Sequence, residues 1–287
     1  MEKIQTKKRI SRYKRTSNAP KMYLTERDKK IVLAVYKHRF LRRDQIERLF
    51  FTRTSTCNQR LMRLYQHGYL ERVFKPVSFG SSQAVYALDK IGADLVDQML
   101  GVSRNKVTWK RKNNRVELLF LDHKLAITEF YVLLQLSSKQ NTNTKLLFWR
   151  NESKELNSRV RDPEGKRKYL TVAPDAFFGL QTPEGKSYFF LEVDMGTMTL
   201  TRFASKIKAY RQYWKTGNYQ ENFGFKNFRV LTVASSERRT RNLKEATYRI
   251  GGKNMFLFAT FASIKRLTPL GQIWSSPIQT SYLNLFR

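Results

Sequence analysis

Two apolar runs around a short turn decide the fold of the second half of the chain: VAPDAFFGLQ (172–181), TPEGK (182–186) and SYFFLEVDM (187–195). Both runs are rich in the aromatic and aliphatic residues that favour strands. The Pro-Glu-Gly sequence between them is typical of a tight turn. The pattern therefore predicts two paired strands joined by a hairpin.

Further elements follow on either side of this hairpin. Apolar runs predict strands at LLFWR (146–150), FRVLTVAS (228–235) and NMFLFATF (254–261). Helical spacing of apolar residues predicts helices over 117–137, 199–214 and 237–250. The basic stretch 159–168 is interpreted as a polar insertion. The order α-β-β-β-α-β-α-β predicts an α/β fold with a mixed sheet.

The first half of the chain has a different pattern. Thr25, followed by Asp28, predicts the start of a helix, and further helices are predicted from about Asp44 and from about Ser55. Two strands follow, YLERVF (69–74) and AVYALD (84–89), and then a helix over about 89–100. Three helices and a two-stranded wing in this order predict a winged helix-turn-helix. Such modules place their third helix in the major groove of DNA, although some mediate dimerisation instead.

The outward face of the third helix carries the predicted DNA-reading residues. They are side chains that bind base edges or phosphates, namely Asn58, Gln59, Arg60, Arg63 and Gln66. The domain organisation that we predict is a flexible basic arm over 1–21, the winged helix over 22–100, a linker over 101–116 and the α/β domain over 117–287.

The charge of the chain points to a polyanionic partner. Lys and Arg number 55 against 23 Asp and Glu, which gives a formal net charge of +32 over 287 residues. An excess of this size indicates nucleic acid. A single cysteine, Cys57, argues against a disulfide scaffold and fits a reducing cytoplasm. No apolar run is long enough for a membrane span, so we expect a cytoplasmic protein with no membrane partner.

Carboxylates gather at the predicted hairpin. Glu192 and Asp194 are two residues apart on one strand and so share a face of the sheet, and Asp175 begins the neighbouring strand. Carboxylates held together repel one another unless a cation joins them, and a hard divalent ion prefers oxygen ligands. Lys206 and Tyr210 lie one turn apart on the next predicted helix, where the lysine would stabilise developing negative charge.

Each of these residues also has a structural alternative. The acids Asp175 and Glu192 would then pair with Lys or Arg, and Asp194 would hold the turn at Gly196. Lys206 would be one more phosphate-facing base, and Tyr210 a core residue. Among the tryptophans that could stack on bases, we expect Trp214 and Trp274 to be buried in the core and leave Trp149 open.

The spacing resembles the PD-(D/E)XK restriction-endonuclease-like superfamily. The match is Pro174-Asp175 followed by Glu192-Val193-Asp194, with Asp194 where the superfamily usually has lysine. The resemblance implies a nuclease-like domain over 117–287 that binds Mg²⁺ or Mn²⁺ through Asp175 and Glu192. It also implies a lysine supplied by the following helix, Lys206, and a further ligand, Glu129, in DHKLAITEFYVLL (122–134).

The combined architecture resembles the replication-relaxation family of plasmids and integrative elements over about residues 22–275. The resemblance lies in the N-terminal winged helix and in HKLAITEFYV (123–132), PDAFF (174–178), LEVDMGTMTL (191–200), KIKAYRQYW (206–214), FATF (258–261) and PLGQIW (269–274). It implies a role in plasmid replication and DNA relaxation.

From these patterns we expect a metal-dependent nickase. Its partner would be double-stranded DNA at an origin or element end, with replication or transfer proteins as further partners. Asp194 would assist as ligand or base, Tyr210 would belong to the same site, and a homodimer would cut both strands. The alternatives are a non-catalytic replication initiator or regulator that keeps an inactive nuclease fold, and an RNA or ribosome binder.

Overall fold

The computed structural model describes residues 12–17, 19–101, 109–151, 156–165, 168–279 and 281–286. The chain divides into two compact units, Met1–Thr128 and Glu129–Arg287, here called the N-terminal unit and the C-terminal unit. Residues 1–11 of the predicted arm and 102–108 of the predicted linker lie outside the described residues. None of the helices in the described ranges has the length and apolar character needed to cross a membrane.

The N-terminal unit contains the predicted helices and hairpin. Its elements in chain order are α1 (Glu26–His38), β1 (Leu41–Arg42), α2 (Arg43–Phe50), α3 (Thr54–Gln66), β2 (Leu70–Phe74), β3 (Ala84–Leu88) and α4 (Lys90–Leu100). The strands form an antiparallel sheet of order β1-β3-β2. The short strand β1 was not predicted, because two residues are too few to show an alternating pattern.

Local signals account for the helix boundaries in this unit. Thr25 and Asp28 form a reciprocal capping box at the start of α1, as the sequence predicts. Gly68 has a φ of +72° just after α3, a backbone conformation that glycine adopts without strain. The inner faces of the helices, with Ile31 and Leu61 among them, meet in one buried core.

Parts of the predicted arm and linker pack on the N-terminal unit. In place of a flexible arm, residues 12–17 contact the folded unit, and Arg15 pairs with the carboxylate of Asp89. A 3-10 helix covers Arg111–Asn114, and the buried amide of Asn114 donates to the carbonyl of Leu88 at 2.8 Å. Arg15 and Asn114 therefore each bind a polar group of the folded N-terminal unit.

The boundary between the units lies within helix α5 (Leu118–Gln140), later in the chain than the predicted linker. The reason is the packing of the first turns of α5. Leu121 and Leu125 are buried with Phe40 of the N-terminal unit. The helix over 117–137 is thereby confirmed, but its start belongs to the first unit.

The C-terminal unit is built on a mixed five-stranded sheet. Its elements are the rest of α5, β4 (Lys145–Asn151), β5 (Ser158–Arg161), β6 (Tyr169–Val172), β7 (Ala176–Thr182), β8 (Gly185–Asp194), α6 (Leu200–Thr216), α7 (Asn218–Phe223), β9 (Arg229–Ala234), α8 (Glu237–Arg249), β10 (Phe256–Thr260) and α9 (Phe261–Leu267). The order is β10-β9-β8-β7-β4. Strands β8, β9 and β10 are parallel, and β7 is antiparallel to both β8 and β4. The α/β fold with a mixed sheet is confirmed.

The two faces of this sheet have different coverings. Phe177 and Phe190 pack against α6 and α8 in the larger core cluster. On the other face, the ring of Phe130 of α5 packs against the rings of Phe178 and Trp274. The stretch predicted as an insertion (159–168) contains most of strand β5, which pairs with β6, just after the stretch, in a two-stranded antiparallel sheet. The charged residues of β5 hid its strand pattern.

Candidate functional site

Strands β7 and β8 bring Asp175 next to Glu192. Ala176 pairs with Leu191 in the antiparallel register, so Asp175, one residue earlier, lies beside Glu192 on the neighbouring strand. The backbone fixes this position, because the amide of Asp175 donates to the carbonyl of Leu191 at 2.9 Å. The amide of Val193 in turn donates to Oδ2 of Asp175 at 2.8 Å. Asp175 and Glu192 therefore lie side by side on neighbouring strands, as the sequence predicts.

Helix α6 supplies a partner to each oxygen of Glu192. Lys206 Nζ donates to Oε2, and the hydroxyl of Tyr210 donates to Oε1 at 2.6 Å. The two donors reach the same carboxylate because residues four apart share a helix face. Glu192 is 4% exposed and Tyr210 is fully buried, so the cluster is largely withdrawn from water.

Burial and neighbouring charge set the protonation of this cluster. Burial raises the pKa of Glu192; the Lys206 ammonium opposes the rise and the Asp175 carboxylate adds to it. Burial also works against the charge of Lys206, but Glu192 and Asp175 outweigh it and raise the lysine pKa. Burial and Glu192 raise the pKa of Tyr210 well above its usual value. Lys206 is therefore cationic and Tyr210 a neutral donor at neutral pH.

Asp194 lies on the same face of β8 but has different partners. The guanidinium of Arg239 on α8 binds it through two parallel hydrogen bonds, Nε to Oδ1 and Nη2 to Oδ2, both 2.8 Å long. The amide of Gly196 also donates to Oδ1 at 2.9 Å. This geometry matches the alternative in which Asp194 holds the turn after β8. No pattern in the sequence indicates Arg239, which is 45 residues away from Asp194.

The structure does not bring the third predicted ligand, Glu129, into a group with the other two acids. Helix α5, which carries Glu129, packs on the sheet face opposite Glu192 through Phe130. Across the described residues, no three His, Cys, Asp or Glu side chains are grouped so that they could hold a metal ion. Asp175 and Glu192 still fit Mg²⁺, which is often held by one or two carboxylates together with waters and substrate phosphates.

The predicted DNA-reading face of α3 separates into two groups. Asn58 and Gln59 are exposed and Arg63 is half-buried. Gln66 is engaged within the unit, because its Oε1 accepts from the amide of Thr16 at 2.8 Å.

Arg60 is also engaged within the unit. Its guanidinium Nε donates to Oδ1 of Asp28 at 2.8 Å, and the Asp28 carboxylate is fully buried. A buried carboxylate needs a cation, so this arginine has a structural partner that its outward position on the helix did not predict.

Comparison with known proteins identifies one family. The family model described as replication-relaxation matches residues 33–227, more than half of the chain. The matched range includes α3 and the cluster formed by Asp175, Glu192, Lys206 and Tyr210. No curated protein and no solved structure matches the chain.

Proposed function

The chain belongs to the replication-relaxation family, and from this premise we propose that it binds double-stranded DNA and cuts one strand in the presence of Mg²⁺ or Mn²⁺. Family membership supports a role in plasmid replication or relaxation. The observation that carries the nuclease proposal is the pair of adjacent carboxylates, Asp175 and Glu192, beside the cationic Lys206. The net charge of +32 supports a polyanionic substrate.

In this proposal Asp175 and Glu192 hold the cation. A bound divalent ion would polarise a phosphate oxygen and lower the pKa of a coordinated water. Both Glu192 oxygens accept hydrogen bonds from α6, so one of these bonds must be exchanged when the site is loaded. Lys206 is the donor to exchange, because its flexible stem can turn the ammonium towards a DNA phosphate.

Lys206 and Tyr210 then act without changing protonation. The raised pKa of Lys206, which burial opposes and the two carboxylates produce, makes it a poor proton acceptor. It would stabilise negative charge on the phosphate. Tyr210 would keep Glu192 oriented through its 2.6 Å hydrogen bond. Hydrolysis would join a water oxygen to phosphorus and break a phosphorus–oxygen bond of the backbone, with protons exchanged with solvent.

The N-terminal unit supports the DNA-binding half of the proposal. We interpret its three helices and small antiparallel sheet, in this order, as a winged helix-turn-helix. Its third helix, α3, contains no acidic residue and exposes Asn58 and Gln59. We propose that these two residues and Arg63 contact base edges or phosphates.

A second candidate function is a non-catalytic replication initiator or regulator that uses the same fold to bind DNA. The arrangement of Asp194 favours it. This residue stands where the PD-(D/E)XK pattern usually has lysine, and Arg239 neutralises it with two hydrogen bonds. Such a protein would bind DNA with Glu192 permanently paired to Lys206.

Nicking of supercoiled plasmid separates the two candidates. Wild type, Asp175→Asn, Glu192→Gln and the control Glu184→Gln would each be incubated with Mg²⁺, Mn²⁺ or a chelator. Glu184 is exposed on the β7–β8 turn, so its substitution makes the same chemical change outside the cluster. The nuclease proposal predicts cation-dependent nicking by wild type and control, lost in the other two. Tight duplex binding without nicking in any cation would overturn it and favour the second candidate.

A further inference from the structure

A basic cavity lies at the end of the sheet that is farther from Glu192. Glu192 pairs with Thr232 in the second half of β9, whereas the cavity surrounds Arg229, the first residue of that strand. Its volume is about 490 Å³, within the usual range for pockets that take small ligands. Its walls come from the end of α6, the start of β9 and the turn before β10.

An exposed aromatic residue stands in the wall of this cavity. Trp214, in the last turn of α6, is 48% exposed, contrary to the expectation from the sequence that it is buried in the core. The other three tryptophans, Trp109, Trp149 and Trp274, are half-buried or buried. An exposed indole presents a flat face on which an unpaired base can stack.

The cavity is also strongly positive. Four cationic residues line it, namely Arg211, Lys215, Arg229 and Lys253, and no carboxylate is present among its described lining residues. A cation-rich wall with no acid attracts phosphate. Aromatic and cationic groups in one cavity are the combination by which proteins bind single-stranded nucleic acid.

The backbone around Arg211 keeps its guanidinium in place. Arg211 Nη1 donates to the carbonyl of Ile250. The next residue, Gly251, has a φ of +74°, and a Cβ there would lie 3.1 Å from Nη2 of Arg211. Glycine therefore allows the turn to approach the guanidinium closely. The backbone at Ile250 and Gly251 therefore helps to hold the Arg211 guanidinium in the wall of the cavity.

We propose that this cavity binds an unpaired nucleotide of single-stranded DNA, with the base stacked on Trp214 and the phosphates against Arg211, Lys215 and Lys253. The proposal rests on the proposed DNA-binding function and extends it to a second form of DNA. In duplex DNA the base faces are stacked on their neighbours, so the cavity discriminates in favour of single strands. A locally opened plasmid strand supplies this substrate.

Fluorescence anisotropy with a labelled oligothymidylate and a labelled duplex of equal length tests the proposal. The proteins are wild type, Trp214→Ala, Trp214→Phe, Lys253→Gln and the control Tyr169→Ala, which removes an exposed aromatic ring outside the cavity. We expect Trp214→Ala to lose about 5- to 100-fold in affinity for the single strand. Trp214→Phe, which keeps a stacking ring, and the control should stay within about threefold.

Two further readouts report the contacts themselves. Single-stranded DNA should quench the fluorescence of wild type, and Trp214→Phe should lose this quenching while keeping its affinity. For Lys253→Gln, the slope of log affinity against log salt should become shallower by about 0.7, as expected when one phosphate contact to a single strand is lost.

The measurements with duplex DNA distinguish an error in the cavity proposal from an error in the proposed DNA-binding function. If Trp214→Ala binds the single strand as tightly as wild type while duplex binding is intact, the cavity proposal is overturned and the proposed function stands. If wild type binds neither DNA, both are overturned. Weakened binding of the single strand alone, with quenching lost in Trp214→Phe, supports the cavity as the site.

Discussion

Lys206 on α6 forms an ion pair with Glu192 on β8, although the Glu192 side chain is only 6% exposed. Removing one member of such a pair leaves the other charge without compensation in a poorly solvated place. The ion pair between Lys206 and Glu192 therefore affects both the stability of the fold and the proposed hydrolysis of DNA. Variants at these two positions must be tested for both.

The ion pair between Lys206 and Glu192 should be visible in a double-mutant cycle. Lys206→Met should lower the free energy of unfolding by about 2–4 kcal/mol, because Glu192 is then buried beside Asp175 without a cation. Glu192→Gln should also destabilise, and the double variant should lose less than the sum of the two. Urea unfolding followed by circular dichroism measures all three. Strict additivity would show that the two side chains do not interact in solution.

The pair formed by Asp194 and Arg239 should contribute to stability. Arg239→Gln removes two hydrogen bonds to a carboxylate that is 3% exposed, and we expect a loss of about 2–3 kcal/mol. Arg239→Lys should recover only part of it, because lysine cannot form the paired geometry. Thermal unfolding gives both values. Equal stability of wild type and Arg239→Gln would mean that Asp194 is not held by this arginine.

The exposed and paired residues of α3 should behave differently. Arg60→Gln should destabilise the protein by about 3 kcal/mol, because Asp28 is completely buried beside it. Asn58→Ala and Gln59→Ala should leave stability within about 0.5 kcal/mol of wild type. The latter two should instead weaken duplex binding, measured by anisotropy. A destabilising Asn58→Ala or Gln59→Ala, with DNA affinity unchanged, would contradict our assignment of this face.

Acid should destabilise the protein through His38. Burial, with a smaller effect of Lys37, lowers the pKa of His38 from 6.5 to about 3. Between these values the unfolded chain binds a proton that the folded protein does not, so stability is lost as the pH falls from about 6.5 towards 3. The slope from this group approaches about 1.4 kcal/mol per pH unit.

His38→Gln removes this titration. Its free energy of unfolding should therefore fall less steeply than that of wild type between pH 6 and pH 4, measured by urea unfolding at each pH. The carboxylates titrate in both proteins, so their effect cancels in the difference. Parallel pH profiles for the two proteins would show that His38 does not remain neutral in the fold.

Short-range patterns predicted most of the fold. The capping box joins Thr25 to Asp28, three positions later, and the turn of the β7–β8 hairpin lies between two strands that are adjacent in sequence. The meeting of Asp175 and Glu192 followed from this hairpin, and the reach of Lys206 and Tyr210 followed from helical spacing. These features depend on neighbours in sequence, so the sequence alone indicates them.

Long-range partners were not predicted. Arg239 reaches Asp194 from a helix 45 residues later, and Arg60 reaches Asp28 across 32 residues. Trp214 was expected in the core, but α6 ends two residues later and its side chain is 48% exposed. The two ion pairs and the exposure of Trp214 depend on how distant segments pack in the tertiary fold, which local sequence patterns do not indicate.

The most direct test of the account is whether Asp175 and Glu192 together bind a divalent cation. Calorimetric titration of Mn²⁺ into wild type, Asp175→Asn, Glu192→Gln and the control Glu184→Gln, each saturated with a short duplex, measures it without depending on turnover. We predict one additional Mn²⁺ site per chain in wild type and control that is missing from the other two. The same Mn²⁺ uptake by all four proteins would contradict the account, because the carboxylate pair would then serve only to anchor Lys206 and Tyr210.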